Sequence, residues 1–254
     1  MSPPISIDGT DITGATIDGT DVSEITVDGD VVFTAEQALP TAGLLHRYDA
    51  SELTGETDGQ NISGLPDLAG NDDLSRTGTV EYETNAINGL PALRTFSGGN
   101  GIMTGGSVLS QPFAVWYAWE MISTNQGLNQ VFANSSGFDV SVTPNDPFNN
   151  GNISIRAGNF LPTSNVIVRL QIAGWEFDGS NSQIYDGTTS LVTGDAGTDG
   201  TFGGFILFNR RISAGNSVAL NARYGEMLIY DMNNPSYNAS DVANYLGEKW
   251  GVSV

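Results

Sequence analysis

A nine-residue run at 113–121, Phe-Ala-Val-Trp-Tyr-Ala-Trp-Glu-Met, narrows the folds open to this chain further than any other stretch. In an extended strand successive side chains point to opposite faces. Phe113, Val115, Tyr117, Trp119 and Met121 then share one face, and Ala114, Trp116, Ala118 and Glu120 share the other. One face is almost wholly apolar, so the run reads as a strand laid against a core. Further strands are expected at 131–133, 153–157, 166–177, 182–186, 205–209 and 225–230, separated by clusters of Gly, Asn and Asp. Short alternating strands with such punctuation are the mark of a β-sandwich rather than of a βαβ array.

Only the end of the chain reads as helical. Ser240 can cap a first turn that carries Asp241, and Val242, Tyr245 and Leu246 follow at helical spacing before Gly251. Lys249 and Trp250 suit a terminal turn docked on the sandwich.

The first 33 residues repeat with a period of ten: Ile7-Asp8-Gly9-Thr10-Asp11, Ile17-Asp18-Gly19-Thr20-Asp21 and Val27-Asp28-Gly29-Asp30. Each Asp-Gly pair supplies the positive φ angles of a tight hairpin, and the β-rich hexads 12–17 and 22–27 lie between them. This predicts a small meander of short strands. So few residues bury little area by themselves, so the meander needs the main domain, a symmetry mate or another protein to pack on. The organisation expected is a β-repeat arm at 1–33, a linker at 34–42 containing Pro40, and one domain at 43–254.

A length of 254 residues with 39% hydrophobic content is enough for one large β core. Twenty-nine acidic residues stand against nine basic ones, of which Lys249 is the single lysine, and the net charge is −20. Nucleic acid is excluded as a partner, because a phosphate backbone requires a cationic face. Self-repulsion on this scale is relieved by molar salt, where the screening length falls to roughly 3 Å. The composition therefore points to a halophilic source. No cysteine is present, which removes disulfides, thiol chemistry and Cys-ligated zinc. No apolar run approaches the ~20 residues of a membrane span, so no membrane insertion is expected. The start, MSPPISIDGTD, lacks the cationic and apolar regions of a secretory signal, which leads to the expectation of assembly in the cytoplasm without export.

Four stretches carry a resemblance: Tyr48-Asp-Ala-Ser51; Leu65-Pro-Asp-Leu-Ala-Gly-Asn71 with Asn88-Gly-Leu-Pro-Ala-Leu-Arg-Thr-Phe96; the hairpin from Phe177 to Gly187; and Gly225-Glu-Met-Leu-Ile-Tyr-Asp231 with Tyr245-Leu-Gly-Glu-Lys-Trp-Gly251. In this order they resemble the laminin-G-like (LamG) jelly rolls of the concanavalin-A-like superfamily, over about residues 43 to 254. The resemblance implies an all-β, LamG-type jelly-roll sandwich. Such domains bind sugars, bind proteins or build surfaces, and they recur in bacterial surface proteins and in tailed-virus structural proteins. The repeat at 1–33 is similar to short β segments at the start of some tail and decoration proteins.

The inventory of reactive groups is short. His46 is the one histidine, and no Gly-x-Ser-x-Gly elbow accompanies it. Glu176 and Asp178 fall on one strand face, as paired carboxylates of a glycosidase would, but the glucanase spacing Glu-x-Asp-x-x-Glu ends on Asn181. Rim calcium has two candidate turns, 71–73 and 195–199, rich in Asp and Asn. Sequons stand at Asn61, Asn134, Asn152 and Asn238. No catalytic, cofactor-binding or metal residue is assigned, and a chain without enzymatic activity is expected. The leading reading is a virion structural protein, on the particle surface as a capsid turret or decoration or as a tail component. The arm at 1–33 would hold it to other virion proteins or drive homo-oligomerisation. The alternative is an adhesin that binds host-surface glycans around Trp175, Asn181 and Tyr185; a glycoside hydrolase stands third.

Overall fold

The computed structural model describes residues 6–7, 10–11, 16–17, 20–21, 24–27, 30–34, 37–96, 101–123, 131–134, 140–146, 152–163, 169–201, 204–207, 209–213, 216–219 and 221–254. The chain divides into two units, Met1–Leu39 and Pro40–Val254, a boundary that falls inside the segment 34–42.

In the first unit the strands flanking each Asp-Gly pair form hairpins: Ser6–Ile7 with Thr10–Asp11, Thr16–Ile17 with Thr20–Asp21, and Glu24–Val27 with Asp30–Thr34. Pairing of Ile7 with Thr10 and of Ile17 with Thr20 leaves two residues between the paired positions, the spacing expected of an Asp-Gly hairpin. Among the described residues these are three separate two-stranded ribbons and not the continuous meander expected. Within the hexads 12–17 and 22–27, the described strand residues are Thr16–Ile17 and Glu24–Val27, each beside its own Asp-Gly pair in sequence.

The second unit is an all-β, jelly-roll-like sandwich of two antiparallel sheets with a separate two-stranded ribbon, Asn209–Ser213 with Asn216–Ala219, and one C-terminal helix. Among the described residues the larger sheet has nine strands. Its order runs Thr189–Gly194, Ser182–Asp186, Leu170–Phe177, Phe113–Ser123, Asn221–Asp231, Leu90–Thr95, Glu81–Ile87 and Gln60–Asn61. The ninth strand, Leu44–Asp49, pairs with residues 226–230 of Asn221–Asp231, while Leu90–Thr95 pairs with residues 222–224 of it. The facing sheet has eight strands, from the edge Phe160–Pro162 through Asn152–Ala157, Val140–Asp146, Phe132–Asn134, Phe205–Leu207, Ile102–Gly105 and Leu74–Thr77 to Gly64–Leu65.

The inward face of Phe113–Ser123 is the apolar set read from its alternation. Phe113, Val115, Tyr117, Trp119 and Met121 all join the core, with Trp175, Phe177, Phe132, Phe205 and Tyr224. Phe113 stacks on Phe177 at 4.7 Å, and Tyr117 meets Trp175 edge-on at 5.5 Å. The outward face is also covered: Ala114, Trp116 and Ala118 are buried, and Glu120 and Ile122 are half-buried. What covers it is the segment 232–238 and the helix Ala239–Trp250. Two glycines make room for that second layer, since a Cβ on Gly174 or Gly225 would lie within 2.6 Å of the rings of Trp116 and Trp250 respectively.

The helix buries Val242, Ala243, Tyr245, Leu246 and Trp250 and ends on Gly251 in the left-handed region. Its N-cap is Asn238, whose Oδ1 accepts the Ser240 N–H at 2.9 Å, rather than Ser240 itself. Both residue types cap helices, and the two positions lie one Ala apart, so Asn238 opens the helix two residues earlier.

Candidate functional site

Several strands of both sheets start or finish at one end of the sandwich. Their register places Gly105 beside Phe205, Phe113 beside Phe177, and Ser182 beside Gly194. The loops that leave these ends enclose an open cleft of about 610 Å³, lined by residues 108–112 and 178–181 with Thr198, Gly200 and Thr201. Gln111 knits its walls together. Its Oε1 accepts the Gly179 N–H at 2.8 Å, and its Nε2 donates to the Asp199 carbonyl at 2.7 Å and the Gly197 carbonyl at 3.2 Å. Thr201 Oγ1 accepts the Leu109 N–H at 2.6 Å, and the Thr201 N–H donates back to the Leu109 carbonyl at 2.9 Å. Ser182 Oγ fixes the third loop, accepting from the Asp178 N–H and donating to the Gly179 carbonyl, both at 2.9 Å.

The backbone of the cleft is therefore braced while its side chains stay available. Ser110, Ser180, Asn181 and Thr198 are exposed, and Asp178 is half-buried. Asp178 heads the short turn Gly179–Asn181 without capping it, and among the described residues its carboxylate takes no hydrogen bond. Among the described residues it is the one charged residue in the lining. Fixed amides, hydroxyls and a carboxylate around a concavity are suited to a small polar ligand rich in hydroxyl groups.

Glu176, paired with Asp178 in the sequence reading, does not line this cleft. Its side chain lies on the outward face of the larger sheet and is sealed there. Tyr237 O–H donates to Oε1 at 2.9 Å; Tyr185 O–H and Gln183 Nε2 donate to Oε2, both at 3.2 Å. Trp116 Nε1 in turn donates to the Tyr237 hydroxyl at 2.9 Å. Burial raises the Glu176 carboxyl above its ordinary range; the two tyrosines offset part of this and the charge of Asp178 adds to it. Asp178 thus faces the cleft and Glu176 faces the layer behind it. Tyr237, 61 residues from Glu176 in sequence, closes over the latter.

Of the three residues proposed around a glycan, only Asn181 reaches the cleft. Trp175 is fully buried in the core, and Tyr185 packs on Trp116 at 5.3 Å. His46 is buried, with Nδ1 2.7 Å from Asp67 Oδ2. Asp67 also accepts the backbone N–H groups of Arg47, Ala69, Gly70 and Asp72, at 2.9 to 3.1 Å. Burial alone would raise its pKa, but these bonds, His46 first, outweigh it and hold the carboxylate below its usual value. The Leu65–Asn71 stretch is thus a turn built around one aspartate.

The turns considered for calcium have other work. Asp72 accepts the Gly106 and Ser107 N–H groups at 2.8 and 2.7 Å, and Asp73 Oδ1 accepts the Asp67 N–H at 2.9 Å. Asp195 accepts from the Gly197 N–H and from Asn159 Nδ2, at 2.8 and 3.0 Å. Among the described residues no group of three or more His, Cys, Asp or Glu side chains is placed to hold a metal ion. Of the sequons, Asn61 Oδ1 accepts the Val80 N–H and Asn238 caps the helix, while the side chains of Asn134 and Asn152 lie outside the described residues. No described helix is long and apolar enough to cross a membrane.

One cluster had no signal in the sequence reading. Asp49 and Glu226, fully buried on the outward face, share two cations, Arg47 and Lys249. Arg47 donates to both acids at 2.8 Å, and Lys249 bonds Asp49 and also Glu226, at 2.7 Å from the latter. Tyr245 O–H and Trp250 Nε1 complete Glu226, both at 3.1 Å. The cluster fastens the C-terminal helix to the sheet.

No protein-family model and no curated protein matches the sequence. Solved structures do match the fold. One is domain 4 of AbnA, a GH43 extracellular arabinanase from Geobacillus stearothermophilus, in complex with arabinotriose. It matches with a TM-score of 0.58 at 16% identity over 81% of this chain and 98% of that one. Another is Trypanosoma rangeli sialidase in complex with sialic acid, with a TM-score of 0.57 at 12% identity over 92% of this chain. The match spans 37% of the sialidase, little more than a third of its length. At these identities the likeness establishes the jelly-roll-like fold. It also corrects the expectation of a chain without enzymatic activity: this fold occurs within proteins named as glycosidases, so a short inventory of reactive groups does not place the chain outside enzymes.

Proposed function

We propose that the unit Pro40–Val254 binds carbohydrate in the cleft between loops 108–112, 178–181 and 198–201. The observation that carries this is the cleft itself: walls locked by Gln111, with Asp178, Ser180 and Asn181 left to bond a ligand. Sugar hydroxyls both donate and accept, and these three side chains offer both functions on a fixed frame. The matching arabinanase domain carries arabinotriose, which supports the reading by analogy of fold. With one carboxylate and no cation in the lining, the cleft favours an uncharged ring over an acidic one.

Titration of the protein with arabinose oligosaccharides and a wider glycan panel tests this. Asn181→Ala or Asp178→Ala should weaken binding at least tenfold with an unchanged melting curve. Binding equal to wild type in both variants refutes the assignment. Released reducing ends are measured in the same samples, and release that disappears in Asp178→Asn would assign hydrolysis to the cleft. The setting we propose is the surface of a virus particle, with the arm as the attachment; the separate N-terminal unit and its repeated hairpins support it. Its test is whether the protein purifies with particles and is lost from them when residues 1–38 are deleted.

A further inference from the structure

Among the described residues that line the cleft none is aromatic, and an exposed ring stands on the strand whose end is bonded to the cleft wall. Phe160 opens the edge strand Phe160–Pro162 and pairs across with Arg156. Leu161 and Ile155 point into the core, so Phe160 and Arg156 point away from it. The Arg156 guanidinium lies 4.9 Å from the ring centroid, over one face. Phe160 nevertheless keeps 50% of its surface open, which is what a ring covered on one side only retains.

The strand end that carries this ring is bonded to the wall of the cleft. The Asn159 N–H donates to the Ala196 carbonyl at 2.9 Å, the Asp199 N–H donates to the Ala157 carbonyl at 3.0 Å, and Asn159 Nδ2 donates to Asp195 at 3.0 Å. Thr198, within the same loop, lines the cleft. Hydrogen-bonded segments lie about 5 Å apart, so the strand end that carries the ring adjoins the loop that carries Thr198. An exposed phenyl beside fixed amide and carboxylate groups has the make-up of a sugar subsite, because the apolar face of a pyranose or furanose ring covers an aromatic face while its hydroxyls reach the polar groups.

We propose that Phe160 is a second subsite, stacking a further ring of the saccharide whose first ring lies in the cleft, so that the ligand is an oligosaccharide and not a single sugar. This inference rests on the carbohydrate reading of the cleft and adds a length requirement to it. The experiment is a titration of wild type, Phe160→Ala, Phe160→Trp and Asn181→Ala with arabinose and its oligomers up to the pentasaccharide, repeated with maltose oligomers. Wild-type affinity should rise with chain length. Phe160→Ala should lose that rise, roughly tenfold at the longest oligomer, and bind the monosaccharide as wild type does, while Phe160→Trp restores the rise. The half-exposed position makes Phe160→Ala a folded variant, and a melting curve verifies it. Equal affinity of wild type and Phe160→Ala at every length overturns the subsite and leaves the cleft standing. A wild type that binds no oligomer of either series overturns both.

Discussion

Two carboxylates only a few side chains from the core respond to pH in opposite directions, and the difference lies in who bonds them. Asp67 is ringed by His46 and four backbone N–H groups, and its folded pKa sits below the ordinary 3.8. It contributes stability above that value and loses it as pH falls through the folded pKa. Asp67→Asn should therefore cost about 2 kcal/mol at pH 7, and thermal melts should show the gap from wild type closing below pH 4. Glu176 is bonded by neutral donors and raised by burial above the ordinary 4.5. Its contribution is fully present below that value and is lost as pH rises through the folded pKa. Glu176→Gln should melt at or above wild type at pH 7, with the difference vanishing toward pH 4. A Glu176→Gln variant that is least stable relative to wild type at pH 7 would reverse this assignment.

At the scale of elements, local pattern was readable and long-range closure was not. Alternation in 113–121 identified the strand and its core face, because period two is a local property of the chain. That its second face is also buried depends on Tyr237, more than a hundred residues from Trp116, and on the helix that follows it, which no window of sequence brings near this strand. The two carboxylates part for the same reason: Glu176 and Asp178 share a strand end, but Tyr237 closes over one of them. Arg47 and Glu226 are 179 residues apart and meet only through the antiparallel pairing of their strands. The helix those groups hold yields a prediction. Lys249→Ala leaves the buried Asp49 and Glu226 to share one cation, Arg47, and removing one partner from such a cluster costs about 3 to 5 kcal/mol. Chemical denaturation followed by circular dichroism should show this loss, and a loss below 1 kcal/mol would mark the cluster as dispensable.

For the whole molecule, charge is the dominant quantity. A net charge of −20 on 254 residues opposes compaction wherever salt does not screen it. The proposed adaptation to concentrated salt predicts that melting temperature rises from 0.05 M to 3 M salt and that near-UV dichroism weakens at the dilute end. A flat response over that range would remove the halophilic reading. The buried Asp49 and Glu226 cluster, shielded from solvent ions, should be the part of the molecule least affected. The dense placement of indoles supplies the means to follow this. All four tryptophans are sealed from water, with Trp116, Trp119 and Trp175 on the two adjacent strands Phe113–Ser123 and Leu170–Phe177 and Trp250 alone in the helix. Indole emission shifts to longer wavelength when water reaches the ring. The protein thus carries an internal optical gauge with two ranges: replacing Trp116 and Trp250 by Phe leaves Trp119 and Trp175, whose signal reports the opening of the sandwich, and the difference from wild type isolates the moment the helix layer lifts.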